Sequence, residues 1–508
     1  MSEATTENQS RRPFRQILKS TFIMGGSSVI VSLLGMVRTK IIALILGPTG
    51  IGLTGIYMTI TDLVRTVAGM GVRESGVRQI AGAVGTGDEA SISRTLLAVR
   101  RAALVTGLAG LLAMALLSSS ISRLTFGNLD RAYDLAILSA AVLFAAISAG
   151  QAAVIQGMRR INDLAKLGIL GALAGTAFSI PIVYFFGERG IAYSLIMVGA
   201  TNILTSWWYS RKIQVPAVTM TWRESFAQAA PLFRLGFALM LGSLMIVGTQ
   251  YLLRVLVVRQ TGLDSAGIFQ ASTTLSSVYV GVILNAMMTD FYPRLSAAAH
   301  DNKECRTLIN DQVEAGLLLA IPGILAIMTF APLVIMLFYS ARFMPAVEVL
   351  RWQIAGVLLQ VVSWPMGFML RAKGNGTLFF YTELTANGAY LLFAWLGMAY
   401  FGITGMGMAF LAMNVTYIIL IFFVVRRYYA FVPSRMNVRL LAAFLGATGA
   451  VFASPYLLPG QAALVLNIAI TAAVAFFALR QVLKRSSTEK VPALFLKLKA
   501  RFSFSAGR

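Results

Sequence analysis

Residues 38–53 read Arg38-Thr39-Lys40-Ile41-Ile42-Ala43-Leu44-Ile45-Leu46-Gly47-Pro48-Thr49-Gly50-Ile51-Gly52-Leu53. An apolar run that begins near residue 20 passes through two cations, stops at Gly47-Pro48-Thr49-Gly50, and resumes at once. Gly-Pro is turn chemistry, and each apolar run exceeds the roughly 20 residues needed to cross the hydrocarbon core. The stretch therefore reads as the outer turn between two spanning helices, with Arg38 about 12 Å below the membrane surface at 1.5 Å per residue.

The rest of the 508 residues follow the same pattern: 57% are hydrophobic and only 12% charged, and the mean hydropathy is +0.75. Soluble globular chains carry about twice that share of charge, so a soluble enzyme and a disordered protein are both excluded. Apolar runs fall at 20–46, 51–80, 96–119, 132–156, 166–186 and 191–209. A second set lies at 235–258, 265–293, 309–338, 346–370, 378–400 and 404–425, and a last pair at 439–455 and 462–482. The fold class is an all-α polytopic membrane protein of about fourteen helices. The first run is too long for the core of a cleaved signal and is followed by no small-residue cleavage site, so it is expected to remain as a membrane helix.

Charge sets the expected sidedness. The chain has 43 Lys and Arg against 20 Asp and Glu, an excess that fits cytoplasmic loops better than nucleic acid. With the N-terminus inside, only Arg123, Arg131, Arg189, Arg259, Arg342 and Arg351 fall on the outer side. Arg38, Lys40, Arg65 and Arg254 lie within helices, and every other cation lies in or beside a cytoplasmic segment. Both termini are expected in the cytoplasm. One cysteine, Cys305, excludes an internal disulfide, and one histidine, His300, leaves no basis for a metal cluster.

The two six-run sets resemble each other. Gly47-Pro48-Thr49-Gly50-Ile51-Gly52 matches Gly262-Leu263-Asp264-Ser265-Ala266-Gly267, and Gly187-Glu188-Arg189-Gly190 matches Gly402-Ile403-Thr404-Gly405, both at an offset of 215. With one further residue Arg38 matches Arg254, and Glu74/Arg78 matches Asp290/Arg294. A six-helix duplication puts both copies in the membrane the same way round, related by a pseudo-two-fold axis along the membrane normal. The expected organisation is an N-terminal segment at 1–19, an N-lobe at 20–210, a linker at 211–234, a C-lobe at 235–426, two extra helices within 427–483, and a basic tail at 484–508.

A cation at membrane depth costs about 2.5–3.5 kcal/mol on insertion scales, so it must face a cavity, a partner or a ligand. Asp62 and Arg65 lie near the middle of the second run and can neutralise each other at i,i+3 spacing. Arg38 and Arg254 have no acidic neighbour in their own helices, and Lys40 has the length to snorkel. Arg38, Arg65, Arg254 and Asp62 are the candidate substrate-binding residues, and the cationic surplus suits a phosphate, which a guanidinium can grip with two hydrogen bonds. Glu74, Arg78, Asp290 and Arg294, at matching inner helix ends, are the candidate gate. Glu314 and Glu383 are candidate carriers of a coupling proton. No loop is long enough for a catalytic domain and no G-x-x-x-x-G-K-[ST] motif occurs, so neither enzymatic chemistry nor ATP hydrolysis is expected.

The segment from Arg38 to Leu53, the long second helix to Gly76 and the six-plus-six repeat resemble the Wzx-type O-antigen flippases over residues 15–430. These belong to the multidrug/oligosaccharidyl-lipid/polysaccharide exporter superfamily. The resemblance implies a flippase of the bacterial inner membrane, moving undecaprenyl-pyrophosphate-linked oligosaccharide, an O-antigen or exopolysaccharide repeat unit, by alternating access through a cationic cavity. It implies no cofactor and no nucleic acid; the partners would be the lipid-linked oligosaccharide, membrane lipids, and a polysaccharide polymerase with its chain-length machinery. Two alternatives stand beside it. Fourteen spans are nearer the lipid II flippase pattern than the twelve common among O-antigen flippases. A MATE-type cation or drug antiporter would carry an acidic residue in its first helix, which this sequence lacks there.

Overall fold

The computed structural model describes residues 2–216 and 218–486, with side chains from Ile23 to Arg485 except at 217, 282–283 and 285–290. Among the described residues there are fifteen α-helices and no strand. In order they are α1 (Ser2–Gly69), α2 (Val72–Thr86), α3 (Glu89–Leu116), α4 (Ser118–Phe126), α5 (Ala132–Gly157), α6 (Ile161–Phe186), α7 (Gly190–Ser210) and α8 (Trp222–Ala297). Then follow α9 (Asn302–Thr329), α10 (Ala331–Phe338), α11 (Ala346–Ala372), α12 (Gly376–Phe401), α13 (Thr404–Tyr429), α14 (Arg435–Leu457) and α15 (Gly460–Ser486). Among the described residues, ten stretches are long and apolar enough to cross a membrane. Three of them, Ile23–Gly69, Ile161–Ser210 and Trp222–Gly281, each contain a break and two helical limbs. Counted by limb the ten stretches give thirteen apolar segments, the 26-residue α12 occupies the remaining run of the fourteen expected, and the chain is a multi-pass membrane protein.

Helix ends depart from the apolar runs where polar chemistry takes over. The run at 51–80 breaks, because Met70 (φ 44°) and Gly71 (φ 65°) turn left-handed and end α1 before α2 begins. The run at 309–338 divides at Phe330 into α9 and α10. Helix α3 starts seven residues before its apolar run, at an Asp88 side chain that accepts from the Ala90 N–H at 3.0 Å. Its counterpart α9 starts at Asp301, which accepts from Lys303 N at 2.7 Å and Glu304 N at 3.3 Å. Such caps satisfy otherwise orphaned donors and let a helix extend beyond the membrane.

The 215-residue repeat is visible in the backbone. Gly47 (φ 66°, ψ −160°) and Gly262 (φ 86°, ψ −178°) kink α1 and α8 with the same conformation. Gly187 (φ 59°, ψ −138°) and Gly402 (φ 57°, ψ −141°) end α6 and α12 alike. All four occupy a region open essentially to glycine alone. Helices α6 and α12 themselves begin and end 215 residues apart.

The chain divides into two compact units, Met1–Ala271 with Ile335–Pro345, and Ser272–Val334 with Ala346–Arg508. In the first, Val72, Ile80, Leu96, Val99, Val154 and Leu232 form one buried cluster joining α2, α3, α5 and the start of α8. At the kinked end of the same unit the two repeat-related turns meet. The Thr49 hydroxyl donates to Asp264, its own equivalent 215 residues on. A Cβ on Gly52 would lie 2.3 Å from the Leu263 carbonyl, and one on Gly267 would lie 1.9 Å from that of Pro48. Only glycine permits that approach.

In the second unit a buried cation anchors α14. Pro455 cannot donate to the Val451 carbonyl four residues earlier. Arg351, on the neighbouring α11 and 6% exposed, donates to that carbonyl at 3.0 Å and to Phe452 O at 2.8 Å. Its guanidinium also lies 5.0 Å from the Phe452 ring centre. Arg351 is thus a donor that replaces a missing backbone N–H.

Candidate functional site

The kinks determine what the membrane-depth charges touch. Arg254 and Gln270 each stand eight residues from Gly262, on opposite limbs of α8, so folding α8 back at the kink sets them face to face. Arg254 donates to Gln270 Oε1 from Nε at 3.1 Å and from Nη2 at 2.8 Å. Its Nη1 reaches the Gln250 carbonyl and Oε1, both at 3.2 Å. Neither glutamine stood out in the sequence, since an uncharged amide in an apolar run gives little signal beside an arginine.

The arrangement around Gly47 differs in two ways: Arg38 stands nine residues before its kink glycine where Arg254 stands eight, and the limb beyond the kink lacks the amide. Arg38 is the repeat partner of Arg254, but the position equivalent to Gln270 is Gly55. A Cβ at Gly55 would lie 2.5 Å from Gln270 Oε1, so Gly55 is small in order to admit that amide. Arg38 is half-buried and, among the described residues, makes no side-chain hydrogen bond or ion pair. Lys40 is held by backbone carbonyls. It donates to the Met336 carbonyl at 2.7 Å and to that of Tyr339, capping the end of α10.

Asp62 and Arg65 form the i,i+3 pair that their spacing allows, at 3.0 Å, with side chains 49% and 40% exposed. Arg65 lines a cavity of about 250 Å³ in the first unit, together with Gly69, Arg73, Glu74, Thr106 and Ser243. Of the candidate gate residues, Glu74 and Arg78 are both exposed and make no ion pair with each other. Arg294 is exposed, and the Asp290 side chain lies outside the described residues. Glu314 is buried and paired with Arg485 at 2.7 Å, and Glu383 accepts from the Tyr417 hydroxyl at 2.9 Å. Most of the basic tail lies outside the described residues.

A larger cavity, about 920 Å³, opens at the kinked end of the first unit. Tyr133, Asp134, Glu188, Arg189, Tyr193 and Leu263 are among the residues that line it. Arg131 pairs there with Glu188 at 2.9 Å and with Asp134 at 3.6 Å. Burial acts against the Arg131 charge, but the Glu188 hydrogen bond and the surrounding acids outweigh it and raise the guanidinium above its usual value.

The family model for polysaccharide biosynthesis proteins matches residues 41–348, which include both glycine kinks and the Arg254–Gln270 pair. The chain belongs to the polysaccharide biosynthesis protein family. Among its relatives are the proteins named lipid III flippase of Escherichia coli (strain K12) and of Shigella flexneri. Each is 22% identical over 413 residues, covering 79% of this chain and 96% of the relative. Its fold is similar to that of the lipid II flippase MurJ in an inward closed conformation, with a TM-score of 0.72, 13% identity, and coverage of 92% of this chain and 100% of that one. An inward-facing multidrug resistance MATE family transporter of the MOP superfamily is similar at a TM-score of 0.67 and 18% identity, over 79% of this chain and 94% of that one. At these identities the structural likenesses speak for the fold alone.

Proposed function

We propose that this protein is a flippase that carries undecaprenyl-pyrophosphate-linked oligosaccharide, an O-antigen or exopolysaccharide repeat unit, across the bacterial inner membrane by alternating access of its two repeats. The observation that carries the reading is Arg38. It is a half-buried guanidinium at membrane depth without a protein partner among the described residues, whereas its repeat mate Arg254 is held by Gln250 and Gln270. A half-buried cation left open in a membrane span calls for an anion, and a pyrophosphate is one that Arg can grip with two bonds at once. Arg254 and Arg65 would add positive potential, the latter tempered by Asp62. The relatives named lipid III flippases support a lipid-linked cargo.

The sugars would pass through the hydrated interior while the polyprenyl chain stays in lipid. Both termini would lie in the cytoplasm, with polymerase and chain-length machinery acting on the delivered unit. The six-helix lobes at 20–210 and 235–426, with helices α14 and α15 appended, would rock against each other. Glu74 with Arg78 and Asp290 with Arg294 would serve as an inner gate, paired in one conformation and open in another. Lipid analysis of cells depleted of the protein tests the reading. Accumulated undecaprenyl-linked oligosaccharide with lost surface polysaccharide is the expected result. Unchanged lipid intermediates would overturn it, and new sensitivity to cationic drugs would point to an antiporter.

A further inference from the structure

The 920 Å³ cavity at the kinked end is not needed to bind a pyrophosphate, and its chemistry differs from that around Arg38. Its size is near the top of the roughly 300–1,000 Å³ range of ligand sites. Three carboxylates, those of Asp130, Asp134 and Glu188, line it beside Arg131 and Arg189. The interior of the cluster is fixed: the fully buried Tyr57 donates to Asp134 Oδ2 at 2.7 Å, and Arg131 bridges Asp134 and Glu188. The rim is open. Among the described residues, Asp130 and Arg189 make no side-chain hydrogen bond or ion pair, and both are exposed. Tyr133 and Tyr193 stand at the same rim, 67% and 44% exposed.

We infer that this cavity binds the sugar moiety of the cargo, as a saccharide vestibule separate from the membrane-depth arginines. Aromatic faces meet the apolar faces of sugar rings, while paired acceptors and planar donors match vicinal hydroxyls. The mixture excludes simpler occupants. An anion would meet three carboxylates, and an organic cation would meet two guanidiniums. A polyol satisfies both signs without bringing a charge of its own. Tyr57 belongs to the second limb of α1, which also carries Asp62 and Arg65 about two turns further along. The vestibule and the inner cavity are thus lined or braced by one helical limb.

The inference rests on the flippase reading and is tested so that the two can fail separately. The glycan that accumulates on lipid in depleted cells is released by mild acid and added to the purified full-length protein in nanodiscs. Binding is followed by saturation-transfer NMR, with tetraphenylphosphonium as the organic-cation control. Saturation of the glycan protons is expected, and the combined Tyr133→Ala, Tyr193→Ala and Asp130→Asn variant should weaken binding at least tenfold. These three side chains are exposed, so elution volume and helical circular dichroism should not change. Arg38→Ala should leave glycan binding intact while blocking transport. Accumulation with glycan binding equal in the triple variant and the parent would remove the vestibule and leave the flippase reading standing. Saturation of tetraphenylphosphonium in place of the glycan would make it an organic-cation site. No accumulation would remove the flippase reading and the vestibule with it.

Discussion

Replacing Gly262 by Ala isolates the backbone kink from packing. An added Cβ there meets no atom within 4 Å, so the whole effect arises from φ 86°, ψ −178°. A non-glycine residue held in that region costs about 1–3 kcal/mol. Gly388→Ala is the matched control: its Cβ is also in open space, but it lies inside α12 with ordinary helical geometry. Removing a helix glycine stabilises by about 0.5–1 kcal/mol, so the two variants should differ by about 1.5–4 kcal/mol when the terms are combined. Equilibrium unfolding in mixed micelles titrated with SDS measures the difference. Because the kink sets Arg254 against Gln270, Gly262→Ala should also weaken transport, and Gly388→Ala should not. Equal stability of the two variants would refute the argument that the fold depends on glycine-only conformations at the kinks.

Arg38→Ala should abolish polysaccharide export at unchanged protein abundance, since no internal partner is lost; normal export would sink the anionic-site argument. Gln270→Ala should instead lower stability by about 1.5–3 kcal/mol, the worth of a hydrogen bond to a charged group, as read in the same SDS titration. Arg351→Met should destabilise by a similar amount because the Val451 carbonyl loses its substitute donor. Restoring the backbone donor with Pro455→Ala should recover part of that loss, and a double-mutant cycle with no coupling would show the two sites to be independent. Asp88→Ala removes the α3 cap and should cost about 1 kcal/mol without affecting transport. For the gate, exchanging Glu74 and Arg78 should largely preserve export if only pairing matters, and a dead exchange variant would count against it.

The helical class and the approximate number of crossings were legible in the sequence, because a bilayer demands one long apolar run per helix. The repeat was legible too, since the glycines at 47, 187, 262 and 402 hold conformations that strongly favour glycine, and such positions leave a mark that periodicity alone does not. Helix ends were less legible where Asp88 and Asp301 extend helices beyond their apolar runs. The charges were legible as charges only. Arg38 and Arg254 are equivalents in sequence, yet one is held by an amide and the other is left open. Two differences go with that distinction: Gly55 stands where the other repeat has Gln270, and Arg38 lies one residue further from its kink than Arg254 does. Lys40 and Arg351 took their partners from α10 and α14, far along the chain. A sequence states which residues must be satisfied, because burial of a polar group carries its cost wherever it occurs. Which carbonyl, amide or ligand satisfies them depends on distances set by packing.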